Sequence, residues 1–265
     1  MRKIYFLLFL LLYVGAASVA QHKKLRVMSY NIRIASPPSK GWGVTELDSI
    51  AAVINRHPCD LIALQEVDRF TRRSGKDSDQ IAELAKRTDM HSFFAKAIDR
   101  EGGDYGVGVL SRYPIVEAHA YRIFPHDTVK HEIRALAVIK VRVAKEDIIF
   151  ASFHLDHLSH EVRKNQLEQI FSHLEKYKNF KIIFGADLNI HADNALLDEF
   201  SQRGFIIQKE NLKTLTFSTS KPRVTLDYLI GNKKFYKNVK DVTFEVLHKE
   251  NYASDHFPII LTLSH

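Results

Sequence analysis

Four carboxylates in this chain lie within segments that are otherwise apolar, which is an uncommon setting for a charged side chain. They are Glu66 in LQEVD, Asp187 in FGADLN, Asp227 in TLDYLI and Asp255 in ASDHFP. One carboxylate so placed is usually a cap or a buried hydrogen-bonding group. Several that converge repel one another and must share protons or bind a cation. Oxygen ligands favour hard cations, so the four residues together predict a site for Mg²⁺, with Mn²⁺ as the alternative.

Two histidines stand close to such segments. His256 comes directly after Asp255, and His154 ends the apolar run IIFASFH. An imidazole beside a metal site can donate to a phosphoryl oxygen or transfer a proton near neutral pH. A lone histidine is more often structural, so the prediction for these two depends on their converging with the carboxylates.

Other chemistries find less support in the sequence. The segment SFHLDH, residues 152–157, is similar to part of the zinc-binding pattern of metallo-β-lactamase-like hydrolases, but Ser152 stands where the first histidine would be. A zinc site there would leave the four acidic positions unexplained. Cys59 is the only cysteine, which excludes thiolate metal clusters and internal disulfides, and we expect it to be a small buried residue. The Gly-x-Ser-x-Gly pattern of a serine nucleophile does not occur.

The elements that must position these residues are predicted from apolar periodicity. Amphipathic spacing predicts helices over 44–54, near 78–88 and over 161–177, the first of them opened by Thr45 as a cap. Short β-rich apolar runs predict strands over 25–30, 60–64, 107–110, 133–143, 148–153, 180–184, 226–230 and 257–263. With no repeat and no linker-like change in composition, the pattern indicates one α/β domain over residues 21–265.

Polar residues follow several of these predicted strands. Asn31, Glu66, His154 and Asp187 each come just past an apolar run. In α/β sheets, rigid strands aim the residues that follow them into a shared crevice. We therefore expect these four side chains to meet in one site.

Residues 1–20 are interpreted as a secretory signal peptide. Arg2 and Lys3 precede an apolar run over 4–14, and small residues lead to Ala20, the predicted cleavage position. The apolar run is shorter than the roughly 20 residues that a membrane-spanning helix needs. We therefore expect a secreted or periplasmic protein. Its composition, 45% hydrophobic and 26% charged, excludes a disordered chain. Without Arg2 and Lys3 the net charge falls from +7 to +5, a mild excess that suits anionic substrates.

Seven motifs stand in the order typical of one superfamily. They are MSYNIR (28–33), LIALQEVD (61–68), GVGVLSRYP (106–114), SFHLDH (152–157), FGADLN (184–189), LDYLI (226–230) and SDHFP (254–258). This order resembles the endonuclease/exonuclease/phosphatase superfamily, which includes deoxyribonucleases, abasic-site endonucleases, neutral sphingomyelinases and inositol polyphosphate 5-phosphatases. The resemblance implies an α/β (α+β) fold, namely a four-layer α/β/β/α sandwich with two mixed β-sheets.

The resemblance also implies which residues bind metal and which act on the substrate. Glu66 would be the main metal ligand, with Asn31 and Asp255 beside it. In the catalytic group, Asp187 would orient or deprotonate the attacking water, and Asn189 would hold that water or a phosphate oxygen. His256 would contact the scissile phosphate, with Asp227 orienting it. His154 would stabilise charge on the phosphoryl oxygens. Phosphoryl transfer needs positioning and charge neutralisation, which this set could supply.

Residues and resemblance together predict a secreted Mg²⁺-dependent phosphoester hydrolase, with a small or lipid-linked phosphodiester such as a membrane phospholipid as the favoured substrate. Cations that could attract phosphate lie in the loops, at Arg69, Arg72, Arg73, Lys76, Lys221 and Arg223. Nucleic acid is less favoured because only Trp42 and scattered tyrosines and phenylalanines could stack bases.

Two other functions stay open at this point. A secreted deoxyribonuclease-like endonuclease is the alternative enzyme, and a catalytically silent binding module of the same fold is a third hypothesis. The module is disfavoured because every expected site residue is present. The sequence assigns no role to Asp156 or His157, favours a structural role for Arg112, and does not define an oligomeric state.

Overall fold

The structure is a computed structural model in which residues 24–264 are described. The predicted signal peptide and its cleavage position at Ala20 lie outside the described residues. Within residues 24–264, no helix is long and apolar enough to span a membrane.

Twelve strands and four helices make up the described chain. The strands are β1 Lys24–Asn31, β2 Leu61–Arg69, β3 His91–Arg100, β4 Gly103–Ser111, β5 Ile115–Ile123, β6 Arg134–Val143, β7 Glu146–His154, β8 Lys181–Asp187, β9 Phe205–Ile207, β10 Asp227–Asn232, β11 Asp241–Val246 and β12 Ile259–Ser264. The helices are α1 Leu47–Arg56, α2 Gln80–Thr88, α3 His160–Glu175 and α4 Asp198–Gln202, with single 3-10 turns at Arg33–Ala35, Ala195–Leu197 and Asn211–Lys213.

The strands form two six-stranded mixed sheets. The first sheet has the order β11-β12-β1-β2-β4-β3, and the second has the order β5-β6-β7-β8-β10-β9. Each sheet contains one parallel pair at its centre, β1 with β2 and β7 with β8, and the remaining pairs are antiparallel. The first and the last strand of the chain are neighbours, with Lys24 opposite Ser264.

Three apolar cores separate four layers. One core lies between the sheets and includes Val27, Phe150 and Leu261. A second packs α1 and α2 against the outer face of the first sheet, and a third packs α3 and α4 against the outer face of the second. The predicted four-layer α/β/β/α sandwich with two mixed β-sheets is confirmed.

The sheets come into close contact at Gly185 of β8. A Cβ atom at this position would lie 2.7 Å from the Cβ atoms of Ser29 and Ala63, which belong to β1 and β2. Any larger residue would force the sheets apart, because neither neighbour can retreat from the packed interior. Asp187 lies two residues further along β8, and this contact therefore fixes its distance from the first sheet.

Some sequence expectations need correction. Helix α1 begins at Leu47 after Glu46, and no side chain caps it, so the predicted Thr45 cap is wrong. Strand β2 continues to Arg69, so Glu66 lies within the strand and not past its end. Strands β3, β5, β9 and β11 were not predicted; β5 and β11 are exposed over much of their length, which weakens the apolar pattern.

Two minor predictions agree with the structure. Cys59 is buried, and burial raises the pKa of its thiol to about 12, as expected of a structural residue. The Arg112 guanidinium lies 3.7 Å from Asp60, which precedes β2 at the strand end remote from the candidate site.

Candidate active site

Three predicted residues share one row across the second sheet. His154 ends β7 and is opposite Asp187, the last residue of β8. Asp187 is in turn opposite Asp227, the first residue of the antiparallel strand β10. A carboxylate or imidazole at three adjacent strand ends therefore follows directly from the register of the sheet.

Glu66 reaches the site through a bulge in the first sheet. The register of β2 against β4 shifts between Leu64 and Val67, and Glu66 lies in this irregularity with a φ of 54°. A left-handed φ costs a non-glycine residue roughly 1–2 kcal/mol, so the packing around it must compensate. The bulge sends the Glu66 carboxylate towards the site, while the preceding Gln65 donates to Ser152 between the sheets at 3.2 Å.

Asn31 joins the two sheets. Its side-chain amide nitrogen donates to Glu66 Oε1 at 2.9 Å and to Asp187 Oδ2 at 3.0 Å. Its amide oxygen accepts the backbone N–H of Arg33 at 3.0 Å, which fixes the orientation of the amide. Asn31 is fully buried, so it holds the two carboxylates at a set separation.

His256 lies between two carboxylates of the second sheet. Its Nδ1 is 2.9 Å from Asp227 Oδ2, and its Nε2 is 3.7 Å from Asp187 Oδ2. Burial opposes the charged imidazole, but the charges of Asp227 and Asp187 outweigh burial and raise the pKa of His256. The imidazole is therefore a protonated donor at neutral pH. Burial raises the pKa of Asp187, which makes this carboxylate a stronger base.

His154 has the opposite electrostatic setting. Burial lowers the pKa of His154 well below its ordinary value, and the nearby positive charges of Arg134 and His256 add to that effect. The Asn189 amide nitrogen donates to the Leu155 carbonyl at 3.1 Å and lies 3.0 Å from His154 Nε2. The same nitrogen of His154 lies 3.5 Å from Asp187 Oδ2, so His154 faces both Asn189 and the Asp187 carboxylate.

Asp255 is tied to a residue that sequence reasoning did not single out. Its Oδ2 lies 3.2 Å from Nε of Arg33, and its side chain is 30% exposed. Burial is the main cause of the raised pKa of Glu66, and the Asp255 charge adds to it. Arg33 stands in the quoted motif MSYNIR, but nothing in the sequence shows that it meets a residue 222 positions away.

Arg134 is a second residue that the sequence analysis missed. It begins β6, its side chain is only 4% exposed, and its Nη1 lies 3.4 Å from Glu132. Among the described residues, no group pairs with its buried Nε. Its charge adds to the burial that lowers the pKa of His154, and it opposes the burial that raises the pKa of Glu66, so it influences residues of both sheets. The feature of the sequence that could have identified Arg134 is its place at the start of an otherwise apolar strand, RALAVI.

The two residues left unassigned shape the loop after β7. Asp156 accepts the backbone N–H groups of Leu158 and Ser159 at 2.8 Å each. The next residue, His157, has its Nδ1 3.5 Å from Nη2 of Arg134. Asp156 therefore fixes the loop, and His157 lies against the buried arginine.

Two groups of side chains offer metal ligands. Asp187, Asp227 and His256 each bring one ligand atom to within 4.8 Å of the others. In that group a protonated His256 lies between the two carboxylates and offsets part of their charge, so an added cation would have to displace the proton. The charge of this group is therefore partly compensated from within the chain.

The predicted ligand group around Glu66 fits a cation better. Among the described side chains, only Asn31 donates to Glu66, and burial raises the pKa of this carboxyl. Asp255 adds a second carboxylate, partly balanced by Arg33. An oxygen-rich, incompletely balanced donor set suits a hard divalent cation.

The two-sheet sandwich and the carboxylate–imidazole cluster at its strand ends fit a hydrolase of phosphoesters. The sequence matches the profile of the Endonuclease/Exonuclease/phosphatase family over residues 28–256. The chain belongs to this family, whose members are generally phosphoester hydrolases, and the resemblance inferred from the seven motifs is confirmed. A search of curated proteins finds no match.

Solved structures share the fold at low sequence identity. An endonuclease/exonuclease/phosphatase from Beutenbergia cavernae is 23% identical with a TM-score of 0.77, over 91% of this chain and 72% of that one. A family protein from Leptotrichia buccalis is 18% identical with a TM-score of 0.72, over 91% and 100%. A mannosyl-6-phosphatase from Bacteroides thetaiotaomicron is 19% identical with a TM-score of 0.66, over 91% and 100%.

Proposed function

We propose that the chain is a secreted, Mg²⁺-dependent phosphoester hydrolase that acts on a small or lipid-linked phosphoester. The observation that carries the proposal is a continuous path of polar contacts across the two sheets, running through Asp227, His256, Asp187, Asn31 and Glu66. The path brings a proton donor, a proton acceptor and an incompletely balanced carboxylate together at one place. Hydrolysis of a phosphoester needs these three properties.

Asp187 is the proposed base. The oxygen of the attacking water bonds to phosphorus, Asp187 takes a proton from that water, the ester P–O bond breaks, and the departing oxygen is protonated from solvent. The backbone N–H of Asn189 holds Asp187 Oδ1 at 3.0 Å. This contact leaves Oδ2 facing Asn31 and His256, in the interior of the site.

His256 and Arg134 are the proposed donors to the phosphate. Asp227 holds Nδ1 of His256, so the proton on Nε2 is free to reach a phosphoryl oxygen. Arg134 offers a buried N–H without a partner among the described residues, and a phosphate oxygen would satisfy it. His154, being neutral, contributes a hydrogen bond and not a charge.

Glu66 is the proposed principal holder of the cation, with Asn31 and Asp255 beside it. A bound divalent cation would neutralise negative charge on the phosphoryl oxygens. Mg²⁺ is the favoured ion because it binds through one or two carboxylates together with substrate phosphate, and Mn²⁺ is the alternative.

A small substrate is favoured over long nucleic acid because part of the predicted cationic surface is already paired. Arg69 lies 2.8 Å from Asp79, and Arg73 lies 2.7 Å from Asp68. Fewer cations are then available to follow a phosphate backbone. The fold-level likeness to a mannosyl-6-phosphatase supports a small phosphoester.

Export is proposed from residues 1–20 alone. Mass spectrometry of secreted or periplasmic material should find a mature chain beginning at Gln21. An intact Met1 on membrane-embedded protein would reverse this part of the proposal.

The activity is tested on a panel of a phosphomonoester, a small phosphodiester, sphingomyelin and plasmid DNA, each with Mg²⁺, with Mn²⁺, with Zn²⁺ and with EDTA. We expect hydrolysis of a small or lipid ester that EDTA abolishes and Mg²⁺ or Mn²⁺ restores. Cleavage of DNA in preference would favour the endonuclease. Restoration by Zn²⁺ alone, or full activity in EDTA, would contradict the metal assignment, and no hydrolysis of any substrate would favour the silent module.

A further inference from the structure

Trp42 lies in the loop between β1 and α1, and it is neither buried nor isolated. The indole is 58% exposed, which is too much for a core residue. The Cζ atoms of Arg33 and Arg73 lie 4.7 Å and 5.8 Å from its ring centroid. Cation–π contacts of this kind hold an aromatic ring in place without removing it from solvent.

Both arginines are themselves anchored. Arg33 contacts Asp255 at 3.2 Å and donates to the Ser36 carbonyl at 2.6 Å. Arg73 makes a two-point contact with the buried carboxylate of Asp68, at 2.7 Å and 2.8 Å. The indole therefore rests on groups whose positions are fixed, and its own position is fixed with them.

The loop is shaped to present this ring. Gly43, directly after Trp42, has a φ of 87°, a conformation that side chains rarely allow. A Cβ atom there would lie 3.3 Å from the carbonyl oxygen of Arg73. The close approach of the loop to Arg73 thus depends on a glycine next to the tryptophan.

The position of the ring relative to the site suggests its use. The Arg33 guanidinium contacts both the indole and Asp255, one of the proposed metal-side carboxylates. A phosphate held in the site would have its organic group within reach of this exposed ring. Aromatic faces bind the flat or CH-rich faces of rings, whereas they gain little from a short open chain.

We infer that Trp42 is a substrate-binding residue that selects phosphoesters carrying a ring, either a sugar or a nucleobase. This inference rests on the proposed function, because it assumes that phosphate binds at the site. The chain contains a single tryptophan, so intrinsic fluorescence reports on this position alone.

The experiment measures binding by calorimetry in the Asp187→Asn background with Mg²⁺, so that turnover does not interfere. The ligands are inorganic phosphate, glycerol 3-phosphate as the ring-free ester, and glucose 6-phosphate and adenosine 5′-monophosphate as the two sources of a ring. The variants are Trp42→Ala and the conservative Trp42→Phe, each checked by thermal unfolding. Phe70→Ala is the matched control, because Phe70 is also exposed and also lies beside an arginine, Arg69, which pairs with Asp79.

We expect at least one ring-bearing ester to bind about tenfold more tightly than glycerol 3-phosphate, in line with the usual strength of aromatic stacking. Trp42→Ala should remove this preference, Trp42→Phe should keep most of it, and Phe70→Ala should leave it unchanged. Tryptophan fluorescence should change with the preferred ring-bearing ligand and much less with inorganic phosphate. The relative affinities of the two ring-bearing esters show whether the preferred ring is a sugar or a nucleobase.

The inference alone would be overturned if phosphate binds but a ring adds nothing, or if the ring preference survives Trp42→Ala. Equal weakening of all four ligands by Trp42→Ala would also overturn it, because that pattern indicates a structural role. If inorganic phosphate does not bind to any folded variant, the proposed function fails and this inference fails with it.

Discussion

The two sheets contribute halves of the site that balance charge in opposite ways. In one half, a protonated His256 lies between Asp187 and Asp227 of the second sheet and offsets part of their charge. On the first sheet, Glu66 has an amide neighbour, Asn31, and a second carboxylate, Asp255, within electrostatic range. The carboxylates of one half thus have a cationic partner in direct contact, whereas Glu66 contacts only a neutral amide among the described side chains.

This difference suggests that the two halves have separable tasks. Groups that are already paired and oriented can move protons without reorganising, which is the property that a reacting centre needs. The half-buried Glu66 carboxylate, which has no cationic partner in contact, is suited to binding a cation from solution. Substitutions in the two halves should therefore differ in whether added metal can repair them.

The largest effect on turnover is expected from Asp187→Asn. The amide keeps the shape but cannot accept a proton, so kcat should fall by about 10² to 10⁴. The Mg²⁺ concentration for half-maximal activity should change little, because Asp187 is not proposed to hold the cation. Steady-state kinetics across a Mg²⁺ titration, with thermal unfolding as the folding control, measure both quantities. Near-normal turnover in a folded variant would remove Asp187 from the mechanism.

Glu66→Gln should change the Mg²⁺ concentration needed for activity more than it changes kcat at saturating Mg²⁺. The variant keeps a polar side chain at the bulge but loses the negative charge, so the Mg²⁺ needed for half-maximal activity should rise about tenfold or more. Saturating Mg²⁺ should recover much of the rate by mass action. A loss of kcat that no Mg²⁺ concentration relieves would mean that Glu66 belongs with the proton-transfer half.

Asp227→Asn should have a milder effect than Asp187→Asn. It removes the charge that orients and holds the proton of His256 but leaves the imidazole, and a charge-assisted hydrogen bond is worth about 1.5–3 kcal/mol. We expect a fall in kcat of roughly tenfold to a hundredfold. His256→Ala, which removes the imidazole itself, is the comparison, and it should resemble Asp187→Asn. Equal losses from the Asp227 and His256 variants would show that the carboxylate acts directly.

Asp68→Asn should change turnover least and stability most. Asp68 is fully buried two positions beyond Glu66, but its oxygens already accept from Thr71, Arg73 and Ser74. Weakening a buried charge pair costs up to about 3–5 kcal/mol, so the melting temperature should drop clearly. The Mg²⁺ requirement should stay as in the unaltered chain. A shifted Mg²⁺ requirement would show that a fully paired carboxylate also contributes to metal binding.

The sequence predicted the central part of the fold well because the inner strands carry continuous apolar runs. Strands β1, β7 and β8 are buried along most of their length, so their composition alone reveals them. Strand β5 is exposed at most positions, and its residues IVEAHAYRI give no such run. What was missed is therefore the part of each sheet whose stability comes from pairing with neighbours and not from burial.

For the site, residue types were predictable and their partners were not. Carboxylates amid apolar residues marked Glu66 and Asp187, because such a placement is costly without a purpose. The bridging amide of Asn31 contacts Asp187 across 156 positions, and Arg33 contacts Asp255 across 222. Contacts over such separations follow from the register of the sheets, which no local pattern encodes. The bulge at Glu66 was hidden for the same reason.

The pairing of β1 with β12 couples chemistry to the completion of the chain. β1 supplies Asn31, and the segment that carries Asp255 and His256 leads directly into β12, the final strand. Contacts between the two ends of a chain form late, because a long loop must be closed first. Until β12 pairs with β1, Asp255 and His256 are therefore not held beside Asn31.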